Sequence, residues 1–334
     1  MDKNFLTYNQ QMKYLRESKK ITCGGSADKT ILCRAGYFNL VNGYKTPFVS
    51  GLANDGKHIY HQGTSIKSLY ALKTFDEELR CILLRYITKA EEEIRTFTAY
   101  KFDEVNKYGD TAWYQVDAYD PKCDVKNIIA VISKAYSEIS RSRLDYVEFY
   151  MSNHKVIPTW ILVKVVNFST FIDFLKCSKQ DVLNALCELY NMKDRNSGYY
   201  HKLLIGSLHW MRLIRNSCAH NERVYDIHPK INSKAGKVNS SAGRILCDVF
   251  DNLPLSYTRD KRRSIFDLFV YLKYFLDKKD YCTFIKSIYK HLSELKNDLS
   301  SPAFDNVRAD MGIKKIDDLL LLINDHNKIN YNNF

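Results

Sequence analysis

The strongest constraint on this chain is a run of apolar residues between Ser65 and Tyr100. Leu69, Leu72, Phe75, Leu79, Ile82, Leu83, Tyr86, Ile87 and Ile94 recur mostly three and four residues apart. That spacing returns to one face of an α-helix at each turn, whereas strand side chains alternate between faces. A helix of this length must be covered along its apolar face by other elements, which dictates a helical assembly around it. Turn-forming residues are scarce: 13 Gly and 6 Pro in 334 residues argue against a sandwich or barrel. Similar spacing predicts further helices over 5–19, 128–139, 160–174, 178–190, 199–223, 264–276, 281–295 and 316–323. The first 65 residues are less periodic. After the helix at 5–19 come the loop CGGSADK, an apolar segment over 31–41, turns, and a short strand at Ile59 and Tyr60. Any sheet belongs there or in the irregular break at 109–124. The expected fold is mainly α, divided into a less regular segment 1–65, a helical domain 66–226, and a basic loop with a helical extension, 227–334.

Charge narrows the partner. Fifty basic against 38 acidic residues give a net charge of +12, which favours a polyanion through counterion release and steering. Local crowding occurs at Lys13 to Lys20, Arg141/Arg143, Lys230 to Lys237 and Arg259 to Arg263. A solvated cationic surface on a helical adaptor protein is the plainer reading of the same numbers. Acids are interleaved with the bases, which does not suit a membrane-binding helix. The uninterrupted apolar runs, such as 161–163 and 319–323, fall well short of the ~20 residues that span a bilayer. Nine scattered cysteines with no CxxC pair form neither a disulfide framework nor a zinc cluster and suit a reducing compartment. The start, MDKNFLTYNQ, is too polar for a signal peptide. A soluble, cytoplasmic protein without membrane contact is expected.

Candidate chemistry concentrates in residues 203–223, LLIGSLHWMRLIRNSCAHNER. On a helix turning about 100° per residue, Leu204, Leu208, Met211, Ile214 and Cys218 form one apolar stripe, and Arg215 falls inside it. A guanidinium in that position requires an anion or a polar cleft. His209, Asn216 and His220 follow one edge of the stripe, and Asn216 and His220 are four residues apart, close enough for one to orient the other. An imidazole exchanges protons near neutral pH, and a guanidinium offers a planar fork to a phosphate whose charge shifts during reaction. The amide can fix the ring or contact a ribose. Together these groups suit phosphodiester chemistry, although a histidine beside an apolar helix face also has a purely structural reading. No carboxylate cluster or Cys/His metal spacing lies nearby in sequence, so neither a metal nor a cofactor is expected. Arg195 and His201 repeat the Arg/His theme across Ser197-Gly198, which reads as a helix break, so their side chains need not share a face.

The segment IRNSCAHNERVYD, 214–226, resembles the Arg-Asn-x-x-x-His signature of HEPN-superfamily endoribonucleases. More narrowly, the chain is similar to the Abi-like (AbiD/AbiF) abortive-infection proteins of bacteria. The likeness runs in order through GYFNLVNGYKTPF (36–48), the long helix (63–96), VIPTWILVKVVNFSTFIDF (156–174), RLIRNSCAHNERVYD (212–226) and MGIKKIDDLLLLI (311–323). It implies a HEPN-like helical bundle that pairs as a homodimer and cuts RNA without metal, by attack of the ribose 2'-hydroxyl. Carried over, Arg215 stabilises phosphate charge, His220 is the acid/base and Asn216 supports them. Arg223 matches a basic residue the family places just after the His. With Arg212, His209, Arg262 and Arg263 it makes the expected RNA-binding set. The family also implies a structured non-coding RNA as regulator or companion. The alternative function is a non-catalytic RNA-binding protein, a ribonucleoprotein scaffold.

Overall fold

The structure, a computed structural model, describes residues 5–107, 112–193, 198–228, 257, 263–324 and 329–331. Helix α1 (Tyr8–Lys19) starts on Thr7, whose hydroxyl accepts from Gln10 N while the Gln10 side chain accepts from Thr7 N. That reciprocal cap fixes a helix that few apolar residues would hold. Helix α2 (Gly25–Ala35) occupies most of the stretch read from sequence as the loop CGGSADK. Asp28 takes the Gly24 N–H at 2.8 Å, and Leu32 and Ala35 are buried, so a local hydrogen bond and two core contacts overrule the glycines. Gly36, at φ 74°, turns the chain out of α2 into a π-helical turn, Phe38–Asn42. A hairpin follows: β1 (Val49–Leu52) pairs antiparallel with β2 (His58–Tyr60), in the register Val49 to Tyr60, Gly51 to Ile59 and Leu52 to His58. The strand expected at Ile59 and Tyr60 is β2.

Helix α3 (Ile66–Val105) is the axis of the molecule, 40 residues or about 60 Å long at ~1.5 Å per residue. It packs against α2 and against the later helices α6 (Thr159–Val165), α8 (Gln180–Leu189), α9 (His201–Ala219) and α11 (Lys278–Asp298). Between them lie α4 (Val125–Arg141), α5 (Asp145–Asn153), α7 (Phe168–Cys177) and α10 (Ile265–Tyr271). Helices α12 (Ser301–Asp310) and α13 (Asp318–Asn324) follow α11. The single helix expected over 160–174 is two. Asn167 ends the first by capping the second, its side-chain oxygen accepting from Ser169 N at 2.9 Å and Thr170 N at 3.0 Å. Helices α5 and α12 were not foreseen. The first buries only Val147 and so shows no apolar stripe, and the second opens with Pro302 in its first turn.

The fold is mainly α, with its one sheet among the described residues in the expected N-terminal part. One hydrophobic cluster runs through all three expected sections, taking in Leu15 and Leu40, Leu72 and Leu208, and Phe266 and Leu292. The long helix and the motif helix therefore share a core with both ends of the chain.

Candidate active site

Helix α9 follows its sequence pattern: Leu204, Leu208, Met211 and Ile214 are fully buried and Cys218 nearly so. The helix ends at His220. Asn221 adopts the left-handed conformation at φ 57° and donates its N–H to Cys218 O, while Glu222 N donates to Ser217 O at 2.9 Å. This is a Schellman closure, with Asn in the place where glycine is commonest. Ser217 Oγ locks it by donating to Glu222 Oε2 at 2.7 Å.

The next residues dock onto α3 and the N-terminal segment. Asp76, fully buried on α3, accepts at Oδ1 from Val224 N at 3.0 Å and Tyr225 N at 2.9 Å. Its Oδ2 accepts from the Tyr44 hydroxyl at 2.9 Å and pairs with Arg80. Burial pushes the Asp76 carboxyl upward, while Arg80 and the two backbone N–H groups pull it back. Arg223 pairs with Asp226 at 2.7 Å and donates to the Gly43 carbonyl, and Tyr225 stacks on Tyr44 with ring centroids 6.3 Å apart. The residues after the motif histidine thus pin the end of α9 to the turn GYFNLVNGY. His220 is left exposed on the rim of a cleft of about 440 Å³, whose lining includes Arg34, Phe38, Lys73, Arg80 and Arg223.

Arg215 takes a different course. Its side chain is 38% exposed, its Nε lies 3.5 Å from Glu91 Oε2, and its Nη1 donates to Asn216 Oδ1 at 3.3 Å. The anion required inside the apolar stripe is therefore a carboxylate of α3, which sequence proximity could not reveal. Glu91 is already engaged: its Oε1 accepts from Arg95 Nε at 3.1 Å and Nη2 at 2.7 Å. Arg95 in turn donates to Val163 O and Val166 O and lies over the Phe171 ring at 4.8 Å. Burial lowers the Arg95 pKa, Glu91 opposes that shift, and Arg215 adds to it. Two guanidiniums sharing one carboxylate leave a positive excess where Arg215 reaches the surface. Arg215 does not line the cleft that His220 borders.

The remaining sequence candidates scatter. His209, half-buried, has a lowered pKa, first from burial and then from Lys176 of α7 and Arg212, so it belongs to the α7 side of the helix. Arg212 is half-buried, with no hydrogen bond to its Nε among the described residues. Arg263 was expected to meet RNA but lies inside, 2% exposed, over the rings of Trp210 at 5.8 Å and Tyr271 at 5.7 Å. The neighbouring Arg262 lies outside the described residues, as does Arg195. His201 is occupied by Asn184 Oδ1 at 2.8 Å. Sequence reasoning missed Asp76, Arg80, Glu91 and Arg95. Their signal was present: they form two pairs, each an acid set within the apolar face of α3 with an arginine four residues on. Among the described residues no group of three or more His, Cys, Asp or Glu is placed to hold a metal ion, and no helix is long and apolar enough to cross a membrane.

Arg215, Asn216 and His220 thus lie at the surface end of one core helix in a mainly helical fold. The model of the Abi-like protein family matches residues 30–226, from α2 through the whole docking segment after His220. The chain belongs to that family, which suggests a part in abortive infection, the defence of bacteria against phage. Neither the curated proteins nor the solved structures contain a match.

Proposed function

We propose that the chain is a metal-independent endoribonuclease of phage defence, with Arg215, Asn216 and His220 acting on a phosphodiester of RNA. The observation that carries this reading is the contrast within the motif. Arg223, Val224 and Tyr225 are consumed by docking, while His220 is exposed and makes no side-chain hydrogen bond among the described residues. A histidine held on a fixed rim beside several cations is placed for proton transfer at a phosphate. In the proposed step an imidazole takes the proton of the ribose 2'-hydroxyl. The oxygen attacks phosphorus, the P–O5' bond breaks, and the 5'-oxygen leaves with a proton returned by an imidazolium, giving a 2',3'-cyclic phosphate and a 5'-hydroxyl. Arg215 stabilises the charge on the phosphoryl oxygens, and Asn216 steadies Arg215 through the bond to its Oδ1. Arg215 and His220 of one chain open to different places. The reading therefore includes a homodimer, paired through the ends of α9, in which the arginine of one copy meets the histidine of the other. The net charge of +12 supports an RNA partner, whether substrate or structured non-coding regulator.

The test is cleavage of end-labelled RNA by protein freed of bound nucleic acid, in EDTA. Cyclic phosphate ends are expected, and His220→Ala should cut ~10²–10⁴-fold more slowly with an unchanged melting temperature. Cleavage by His220→Ala at the wild-type rate would sink the enzymatic reading. The hold of Glu91 on Arg215 favours a second reading, in which the site binds RNA without cutting it. That reading gains if binding weakens by several orders in log salt while no RNA is cleaved.

A further inference from the structure

The cleft beside His220 has a wall that the proposed chemistry does not use. The π-helical turn Phe38–Asn42 buries Leu40 and Val41 completely and leaves Phe38 74% exposed. Phe38 stacks on no other ring among the described residues. An apolar ring so exposed costs hydration free energy unless something covers it. Its surroundings are not those of a protein-binding patch. The same cleft is lined by Arg34, Asn39, Lys73, His220 and Asn221, with one carboxylate, Glu77, beside Lys73.

The charges there divide into two kinds. Lys73 is tied to Glu77, Arg80 to Asp76 and Arg223 to Asp226, so three cations are already neutralised by neighbours. Arg34 makes no ion pair among the described residues. One uncompensated guanidinium and one uncovered ring therefore face a space of about 440 Å³, within the roughly 300–1,000 Å³ of small-ligand sites. A ligand with an anionic group and a flat π-face, linked by a few atoms, satisfies both.

We propose that this cleft is a nucleobase subsite for single-stranded RNA, in which Phe38 stacks on the base of a nucleotide whose phosphate lies against Arg34. The proposal rests on the reading of His220 as the group nearest the scissile phosphate, since the subsite would then hold the neighbouring nucleotide. Duplex RNA cannot offer a base face here without unpairing, so the subsite selects loops and unpaired ends. The side-chain amides of Asn39 and Asn221 border the space and supply donors and acceptors for a base edge.

The test uses full-length protein freed of nucleic acid and 5'-fluorescein hexaribonucleotides of A, U or C, measured by anisotropy in the His220→Ala background. Phe38→Ala should weaken binding ~5- to ~150-fold, the effect of losing one base–aromatic stack, while Phe38→Trp and Phe38→Tyr keep it. Because Phe38 is exposed, its variants should melt with the parent. Replacing single nucleotides by abasic residues should weaken binding to the parent at one position, and that penalty should vanish in Phe38→Ala. Phe38→Trp fluorescence should be quenched by the hexamers and not by a blunt RNA duplex. Unchanged binding by Phe38→Ala, or an abasic penalty equal in both proteins, overturns the subsite even where His220→Ala abolishes cleavage. Conversely, coupling between Phe38 and the base in a protein that cuts no RNA keeps the subsite and removes the enzymatic reading.

Discussion

Two acid–arginine pairs, each with its members four residues apart, sit on the buried face of α3; the motif helix α9 meets one and the segment after it meets the other. Asp76–Arg80 is closed: both carboxylate oxygens are filled, by two backbone N–H groups, a tyrosine hydroxyl and the guanidinium. Glu91–Arg95 is open: one oxygen serves Arg95, and the other faces Arg215 at 3.5 Å without a hydrogen bond. The same two residue types, at the same spacing, thus build a latch at one level of the helix and an adjustable contact at another. What separates them is the supply of donors. A loop whose N–H groups have nowhere else to go docks on Asp76, while the second oxygen of Glu91 meets a half-exposed side chain.

The sharpest way to break the contrast is to remove the latch. Asp76→Ala leaves Arg80 buried without its counter-charge and two backbone N–H groups unpaired, a loss expected at about 3–5 kcal/mol. Thermal unfolding should show a large drop in melting temperature, with activity lost in proportion to unfolded protein. Near-wild-type stability would show that solvent replaces the carboxylate and that the latch is not one.

Glu91→Gln should separate the two sites in kind. A stability cost of roughly 1–3 kcal/mol is expected, because Arg95 keeps its carbonyl and ring partners. RNA cleavage per folded molecule should fall further than that loss explains, since Arg215 is no longer held. Equal deficits per folded molecule in Glu91→Gln and Asp76→Asn would mean that both pairs serve the fold alone.

The smallest effect concerns the field around the open end. Burial first, then Lys176 and Arg212, lower the His209 pKa below its usual value. The unfolded chain therefore takes up this proton at a higher pH than the folded one does. Stability should fall as pH drops below about 6.5, down to the lowered folded value, and be unaffected by His209 above it. His209→Gln should flatten that part of a melting-temperature profile. A profile that falls as steeply in the variant would place the acid sensitivity on another histidine.

Much of this was legible in the sequence, and what was missed has a physical pattern. The period of α3 and of α9 could be read because apolar faces follow local geometry. Arg215 was marked correctly as a charge needing an anion. Its partner Glu91 lies more than a hundred residues away and only the packing of α9 on α3 brings it near. Arg263 was misplaced for the complementary reason. A run of bases reads as surface, but Arg263 lies over the Trp210 and Tyr271 rings, brought to it by the packing of α9 and α10. Phe38 opens the π-helical turn and is 74% exposed, which the irregular spacing of the first 65 residues gave no means of reading.

The hydrogen bonds from Val224 and Tyr225 to Asp76 close loops of 148 and 149 residues. At a ribosomal pace of about 5–20 residues per second, roughly 7–30 s separate the synthesis of the two sides. Throughout that interval α3 exists without the segment that seats His220. The histidine takes its place only when the distant half of the chain has been delivered. A nascent or truncated polypeptide ending before residue 224 cannot make these bonds, so the segment that follows His220 has no seat on α3 until translation has passed it.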